Sequence, residues 1–440
     1  MDTPIIDFLE KYNASGTLRC HMPAHKGKVG FGFGFSDDIT EISGADSLFE
    51  AEGIIARSER NMSLLYGTAA TVYSAAGSTL CIQAMLAIMK REGRRVFAAR
   101  NAHRAFLNAA ALLDLEVDWI MPEYSSSLLS GEVSAAAAAA ALSGCRGEKC
   151  CIYLTSPDYT GKVADIAAIA EVCREYDARL IVDNAHGAHL AYMPENKHPI
   201  ALGADMCCDS AHKMLPALTG AAMLHTVRKE YVPMLKPAMG LFGSTSPSYL
   251  IMASLDYCNK YISERIREDI AAGIEQISLL RSRFSGRLLF TDGDPFHITV
   301  RASESGISGI RLAGLLRENG CECEYSDSDL VVLLMSPVNT VADYTRLSDA
   351  LEKSLRGVEL IPRQAEPFSL SLPECAMSVR EAVFAQSETI SVDEAVGRIC
   401  GAVEVPCPPA IPIAVSGEVI SRECVNIFKR YGISEVNVVK

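Results

Sequence analysis

Residues 149 to 184 contain KCCIYLTS, then DIAAIAEVCREY, then ARLIVDN, and this succession restricts the fold more than any other part of the chain. The two outer runs are short and apolar, as buried strands are. Between them Ile166, Ile169, Ala170 and Cys173 recur at i, i+3, i+4 and i+7, with Glu171, Arg174 and Glu175 on the opposite face of a helix. Neighbouring parallel strands need such a crossover, so the segment predicts a βαβ unit. Similar alternation runs from about residue 60 to 260, with RRVFAAR (94–100) as a further strand. Repetition predicts an α/β fold, a mainly parallel sheet covered by helices, with ligands held beyond the carboxyl ends of the strands.

The 440 residues exceed what one small core fills, so two or three packed units are expected. From about residue 285, GRLLFT, FHITVRA and LVVLLMS read as strands of a smaller α/β unit, and ISGIRLAGLLRENG as a helix ending at Gly320. RQAEPFSL (363–370) reads as a linker to a last piece that contains VPCPPAIPIAVSGE. The expected division is an N-terminal arm and substrate-access segment at 1–60, a large ligand-binding domain at 61–280, a small α/β domain at 281–362 and a C-terminal α+β domain at 363–440.

A net charge of −13 disfavours nucleic acid, whose phosphates demand positive patches. No apolar run reaches the roughly 20 residues of a membrane span, and the alanine run VSAAAAAAALSG (133–144) is too short. MDTPIIDFLEKYNASG lacks the basic start, apolar middle and cleavage site of a secretory signal. The fifteen cysteines are scattered; Cys150–Cys151 and Cys207–Cys208 sit in apolar runs, and Cys321 and Cys323 have no second pair to complete a zinc site. A cytoplasmic, reducing setting with no structural disulfide and no metal is expected.

Four segments carry polar groups in unusual places. DSAHKMLPALTG (209–220) runs Lys213 into Met214, Leu215 and Pro216, where an ammonium is costly unless paired, neutralised or used covalently. YSAAGSTLCIQAML places Gly77, Ser78 and Thr79 before an apolar helix, which makes either a phosphate cradle or a plain helix cap. LIVDNAHGAHL puts Asp183 at a strand end, suited to a cationic ligand nitrogen or to a turn, with His186 and His189 following. ARNAHRAFLNAA puts His103 past another strand end, in a structural or a catalytic role. Phosphate cradle, histidine, aspartate, then lysine is the order found in fold type I pyridoxal-phosphate enzymes. In that chemistry a neutral lysine amine condenses with the cofactor aldehyde, and a carboxylate keeps the pyridine nitrogen protonated.

Longer stretches resemble one family, the bacterial ornithine/lysine/arginine decarboxylases of fold type I, in the short form without an N-terminal receiver-like domain. These are CHMPAHKG (20–27), the segment from DITEISGADSLFEAEG through GSTLCIQAML, TSPDYTGKVADIAAIAEVCREYDARLIVDNAHGAHL, DSAHKMLPALTGAAMLH, STSPSYLIMASLD (244–256) and PPAIPIAVSGE (408–418). The resemblance implies pyridoxal 5'-phosphate as cofactor, bound in the large domain, with Lys213 carrying it and Asp183 pairing with its ring nitrogen. It implies that His103 stacks on the ring, that Ala185 lies on the opposite side, and that Ser78, Thr79, Ser210 and His212 hold the phosphate. Thr245 and Ser246 would come from a neighbouring subunit of a homodimer with shared sites. His186 would lie near the reacting atoms, acting on the leaving carboxylate or as a hydrogen-bonder behind them. Lys213, His186 and His103 are thus the catalytic candidates. The implied reaction is decarboxylation of arginine, lysine or ornithine to an amine, as in polyamine biosynthesis. Glu394, Glu404 and Asp46 are candidates for the acid that reads the far end of the substrate.

The chain also departs from the family pattern. Asn184 stands where glutamate is usual, Met214 and Gly220 where threonine and glutamine are commoner, and Cys407 and Ala410 where tyrosine and glycine are. The cofactor set is intact and the substrate end is altered. Two other readings remain: another reaction on the same cofactor, an aminotransferase or lyase for which Arg398 could hold an α-carboxylate, and a catalytically silent paralogue.

Overall fold

The computed structural model describes residues 1–15, 34–125, 127–145, 147–364, 368–401 and 410–440. CHMPAHKG (20–27), Glu404 and Cys407 lie outside them. The chain divides into two compact units, one of residues 1–92 and 179–270, the other of 93–178 and 271–440.

In the first unit four strands lie side by side in the order Ala70–Ser74, Ala222–Thr226, Met206–Asp209, Arg179–Asp183. The last two are parallel, with Asp183 opposite Cys208, and the other pairings are antiparallel. Every residue of Met206–Asp209 and Ala222–Thr226 is buried, which is why MCCD and AMLHT read as near-continuous apolar runs rather than alternating ones. Helix Gly77–Arg91 buries Leu80, Cys81, Ile82, Ala84, Met85, Leu86, Ile88 and Met89, most of its circumference. Helix Ile54–Tyr66 starts on the carboxylate of Asp46, which accepts from the amides of Ser47, Glu52, Gly53, Ile55 and Ala56. Asp46 is therefore a helix cap. Its oxygens are taken up by backbone, which removes it as the acid for a substrate's far end.

The second unit carries the predicted βαβ start. Strand Arg95–Ala99 pairs in parallel with Val117–Ile120 and with Cys150–Thr155. Helix Ile166–Glu175 buries Ile166, Ile169, Ala170 and Cys173, the face read from the sequence, and Asp165 caps it by accepting from the Ala168 amide at 3.0 Å. A three-stranded antiparallel sheet (His297–Arg301, Leu330–Leu334, Tyr325–Ser326) follows, with helices Gly309–Glu318 and Val341–Ser354. The expected strand in GRLLFT reduces to one bridge, Phe290 to Val300, because the DGDP turn at 292–295 begins two residues later. The C-terminal piece pairs Ser387–Ser391 with Glu435–Val439 and packs helix Arg422–Arg430 into a core with Phe368, Val392 and Ile413. Among the described residues every cysteine is a free thiol, and no helix is long and apolar enough to cross a membrane.

The turn after strand Cys150–Thr155 encloses Asp158. Its Oδ1 accepts from the Thr160 amide, the Thr160 hydroxyl and the Lys162 amide at 2.8–2.9 Å, while Oδ2 is buried without a partner. Burial outweighs those three donors and pushes the carboxyl up to about 6. A folded-state value above the unfolded one favours the protonated native state. Asp158 therefore adds stability below about pH 4 that is lost as pH rises through 6. Asp158→Asn keeps an oxygen for all three donors and removes the titration. Urea unfolding at several pH values should show the variant gaining up to about 3 kcal/mol on the parent between pH 4 and 8. A constant difference across that range would contradict the assignment.

Candidate active site

Lys213 lies in a single helical turn, Ala211–Met214, directly after strand Met206–Asp209. Met214 and Leu215 are buried beneath it, and the lysine itself is half-buried. Its Nζ is 2.7 Å from Nε2 of His186, which is buried. A lysine with an imidazole nitrogen at this distance has a partner that can hold or take its proton.

Asp183 ends the neighbouring parallel strand and is 3% exposed. Its Oδ1 accepts from the Ala185 amide at 3.2 Å and from the Cys208 thiol at 3.7 Å. Ala185 is likewise buried. The strand pairing places Asp183 and the lysine turn at adjacent strand ends, the position at which open α/β sheets bind ligands.

Ser78 and Ser210 meet here, with Ser210 Oγ donating to Ser78 Oγ at 3.0 Å. Ser78 and Thr79 open helix Gly77–Arg91, whose N-terminus has no side-chain cap. The turn into that helix needs Gly77 at φ +71°, a conformation that a side chain strains. The Gly77 amide is tied to the Gly220 carbonyl at 2.8 Å. An uncapped helix start flanked by two serines can bind an anion such as phosphate. His212, two residues after Ser210, has Nδ1 3.1 Å from the Ala221 carbonyl, and burial lowers its pKa toward the neutral form.

The remaining candidates are placed within their own units. His103 belongs to the second unit, where it caps helix Arg104–Leu113 by accepting at Nδ1 from the Ala105 amide at 3.1 Å. Thr245 and Ser246 are exposed in the turn before helix Tyr249–Glu264. Glu394 is exposed in a short 3-10 turn. Arg398 is held by Glu388 at 2.9 Å and by the Val439 carbonyl at 3.0 Å, so the guanidinium on which an aminotransferase reading would rely is bound within the C-terminal piece.

One group was missed in the sequence. Asp209, the residue before Ser210, is fully buried, with His198, His225 and Asn184 around its carboxylate. Burial alone would raise its pKa, but the two histidines hold it well below the usual carboxylate range. The only sequence signal is an aspartate closing an apolar strand, MCCD, and nothing local indicates its partners.

Known proteins resemble this chain over most of its length. The family model for the Orn/Lys/Arg decarboxylase major domain matches residues 3–299, and that for the C-terminal domain matches 363–431. The arginine decarboxylase of Bacillus subtilis (strain 168) is 27% identical over 461 residues, covering 97% of this chain and 93% of that protein. The constitutive lysine decarboxylase of E. coli superposes with a TM-score of 0.81 at 16% identity, covering 100% of this chain and 82% of that one. A structure of SPT with PLP superposes at 0.58 and 11% identity, over 71% of this chain and 80% of that one. At such identities the solved structures establish the fold alone, that of the fold type I pyridoxal-phosphate proteins.

Proposed function

This chain belongs to the Orn/Lys/Arg decarboxylase family and is an amino-acid decarboxylase, and we propose that it removes carbon dioxide from a basic amino acid (arginine, lysine or ornithine) using pyridoxal 5'-phosphate carried on Lys213. The observation that carries this reading is the convergence, in one unit, of Lys213 with His186, buried Asp183 at the next strand end, and the Ser78–Ser210 pair at an uncapped helix start. This donor set fits the cofactor. The helix amides and two serine hydroxyls suit a phosphate, and Asp183 suits a protonated ring nitrogen. When bound, pyridoxal phosphate supplies an electron sink for the pair left on Cα when the carboxylate departs.

The chain's own residues prepare that chemistry. Nucleophilic use of Lys213 requires the neutral amine, and His186 Nε2 is placed to hold the proton it gives up. The same pair can return a proton to Cα after carbon dioxide leaves. Asp183, kept from water, holds a positive charge on the ring nitrogen more strongly than an exposed carboxylate would. His212 and the serines would hold the phosphate end and, with Asp183, fix the ring plane to which the scissile bond must stand perpendicular. His103, with Ala185 opposite, is assigned to the ring faces. Thr245 and Ser246, exposed in this chain, are assigned to a second copy's site in a homodimer. The four-part division at 1–60, 61–280, 281–362 and 363–440 is retained as the working domain scheme.

A release assay across arginine, lysine, ornithine and uncharged amino acids tests this reading. Stoichiometric carbon dioxide and amine from one of the three basic substrates is the expected result. A keto acid in place of carbon dioxide would instead favour an aminotransferase.

A further inference from the structure

Four side chains behind the proposed cofactor site form a buried polar group, none of them more than 1% exposed. Asn184 Nδ2 donates to Asp209 Oδ1 at 2.7 Å. Asp209 Oδ2 is 3.0 Å from His198 Nε2 and 3.3 Å from His225 Nε2. The Ile200 amide donates to His198 Nδ1 at 3.4 Å, which leaves the His198 proton on Nε2, directed at Asp209. Thr71 Oγ1 is 2.9 Å from His225 Nδ1. Polarity is thus fixed along Asn184, Asp209 and His198, while Asn184 Oδ1 and His225 Nε2 have no hydrogen-bond partner among the described residues. Position 184 must donate, position 209 must accept on both oxygens, and His198 must donate.

The group spans the two strand ends that carry the chemistry. Asn184 follows Asp183, its amide donates to the Cys208 carbonyl at 2.9 Å, and its carbonyl accepts from Gly187 at 2.8 Å. A Cβ at Gly187 would lie 2.0 Å from Asn184 Oδ1, so glycine is needed there for the amide to reach Asp209. Asp209 precedes Ser210, whose hydroxyl meets Ser78 and whose carbonyl accepts from the Lys213 amide at 3.1 Å. The Asn184–Asp209 bond thus joins the strand end bearing Asp183 to the one bearing Ser210 and Lys213.

We infer that Asn184, Asp209 and His198 are positioning residues, a polarity-matched buried unit that fixes Asp183 relative to Lys213 and the phosphate-holding serines. None of the three is required to touch the cofactor. The inference rests on the function proposed above, and it predicts a pattern of variants that a general packing role does not. Asn184→Asp sets two carboxylates 2.7 Å apart. Asp209→Asn turns a donor toward position 184, which Asn184 can meet only by flipping its amide, leaving its Nδ2 buried where Oδ1 now lies without a partner. The double variant Asn184→Asp/Asp209→Asn restores every polarity, because the new asparagine donates to position 184 and accepts from His198.

The experiment uses the full-length protein, apo and loaded with pyridoxal phosphate, as parent, both singles and the double. It measures cofactor affinity, visible circular dichroism per bound cofactor, and apo melting temperature. Each single should weaken cofactor binding by about tenfold or more and alter the visible band, and the double should return to within about threefold of the parent with the parent's band. Singles that lower only the melting temperature, with affinity and band unchanged, would overturn the positioning role. So would a double no better than the worse single. A parent that binds no pyridoxal phosphate refutes the proposed function instead, and the melting temperatures then judge the unit alone: recovery in the double upholds the polarity match, and its absence overturns it.

Discussion

Lys213→Ala should release amine at no more than background, a loss of at least about 10⁴-fold, while the protein folds as before. The lysine is half-buried and its one-turn helix is held by backbone bonds, so truncating the side chain removes chemistry without opening the core. The loss should fall on kcat, since the lysine is proposed to act in the chemical step. His186→Gln separates the two partners. Glutamine keeps a hydrogen-bonding group near Nζ but cannot take a proton, so it should bind cofactor and lose turnover by about 10²-fold or more. Turnover by Lys213→Ala at a tenth of the parent rate would remove the lysine from the mechanism.

Glu418→Ala should produce the largest loss of stability. Arg100 is completely buried, with Nη2 2.8 Å from Glu418 Oε2 and its remaining bonds to the carbonyls of Pro412 and Ile413. Glu418 Oε2 also accepts from the Val415 amide at 2.7 Å. Removing the carboxylate leaves a guanidinium in the interior with no counter-charge among the described residues, at a cost of about 3–5 kcal/mol. Replacing both members with apolar residues of similar volume should cost much less, because no orphan charge remains. Denaturant unfolding of the single and double variants checks this. A single variant within about 1 kcal/mol of the parent would show that water or a rearranged neighbour compensates the charge.

Most strand and helix identity was legible from local pattern, the strand expected in GRLLFT, cut to one bridge by the DGDP turn, being an exception. The buried face of helix Ile166–Glu175 follows from a 3.6-residue period. The Lys213 turn was legible because an ammonium among Met214, Leu215 and Pro216 needs a reason. Side-chain partners across strands were not legible. Asn184 could be seen to depart from the family pattern, but not that it meets Asp209, which lies 25 residues on and at the end of the next strand. Asp46 misled for a related reason. A carboxylate in a family-like segment looks like a substrate ligand, and only the backbone shows five amides converging on it. Arg398 was likewise an available cation in sequence and a bound one in the fold.

The most direct test of the whole account is to load the protein with pyridoxal phosphate, reduce it with borohydride, digest it and map the modified lysine by mass spectrometry. The pyridoxyl group is expected on the peptide that contains Lys213, in about one copy per chain, and should disappear when Asp183 and Ser210 are unchanged but position 213 is alanine. A label distributed over surface lysines, or fixed stoichiometrically at any other position, would mean that the Asp183–Lys213 strand ends are not where this protein holds its cofactor.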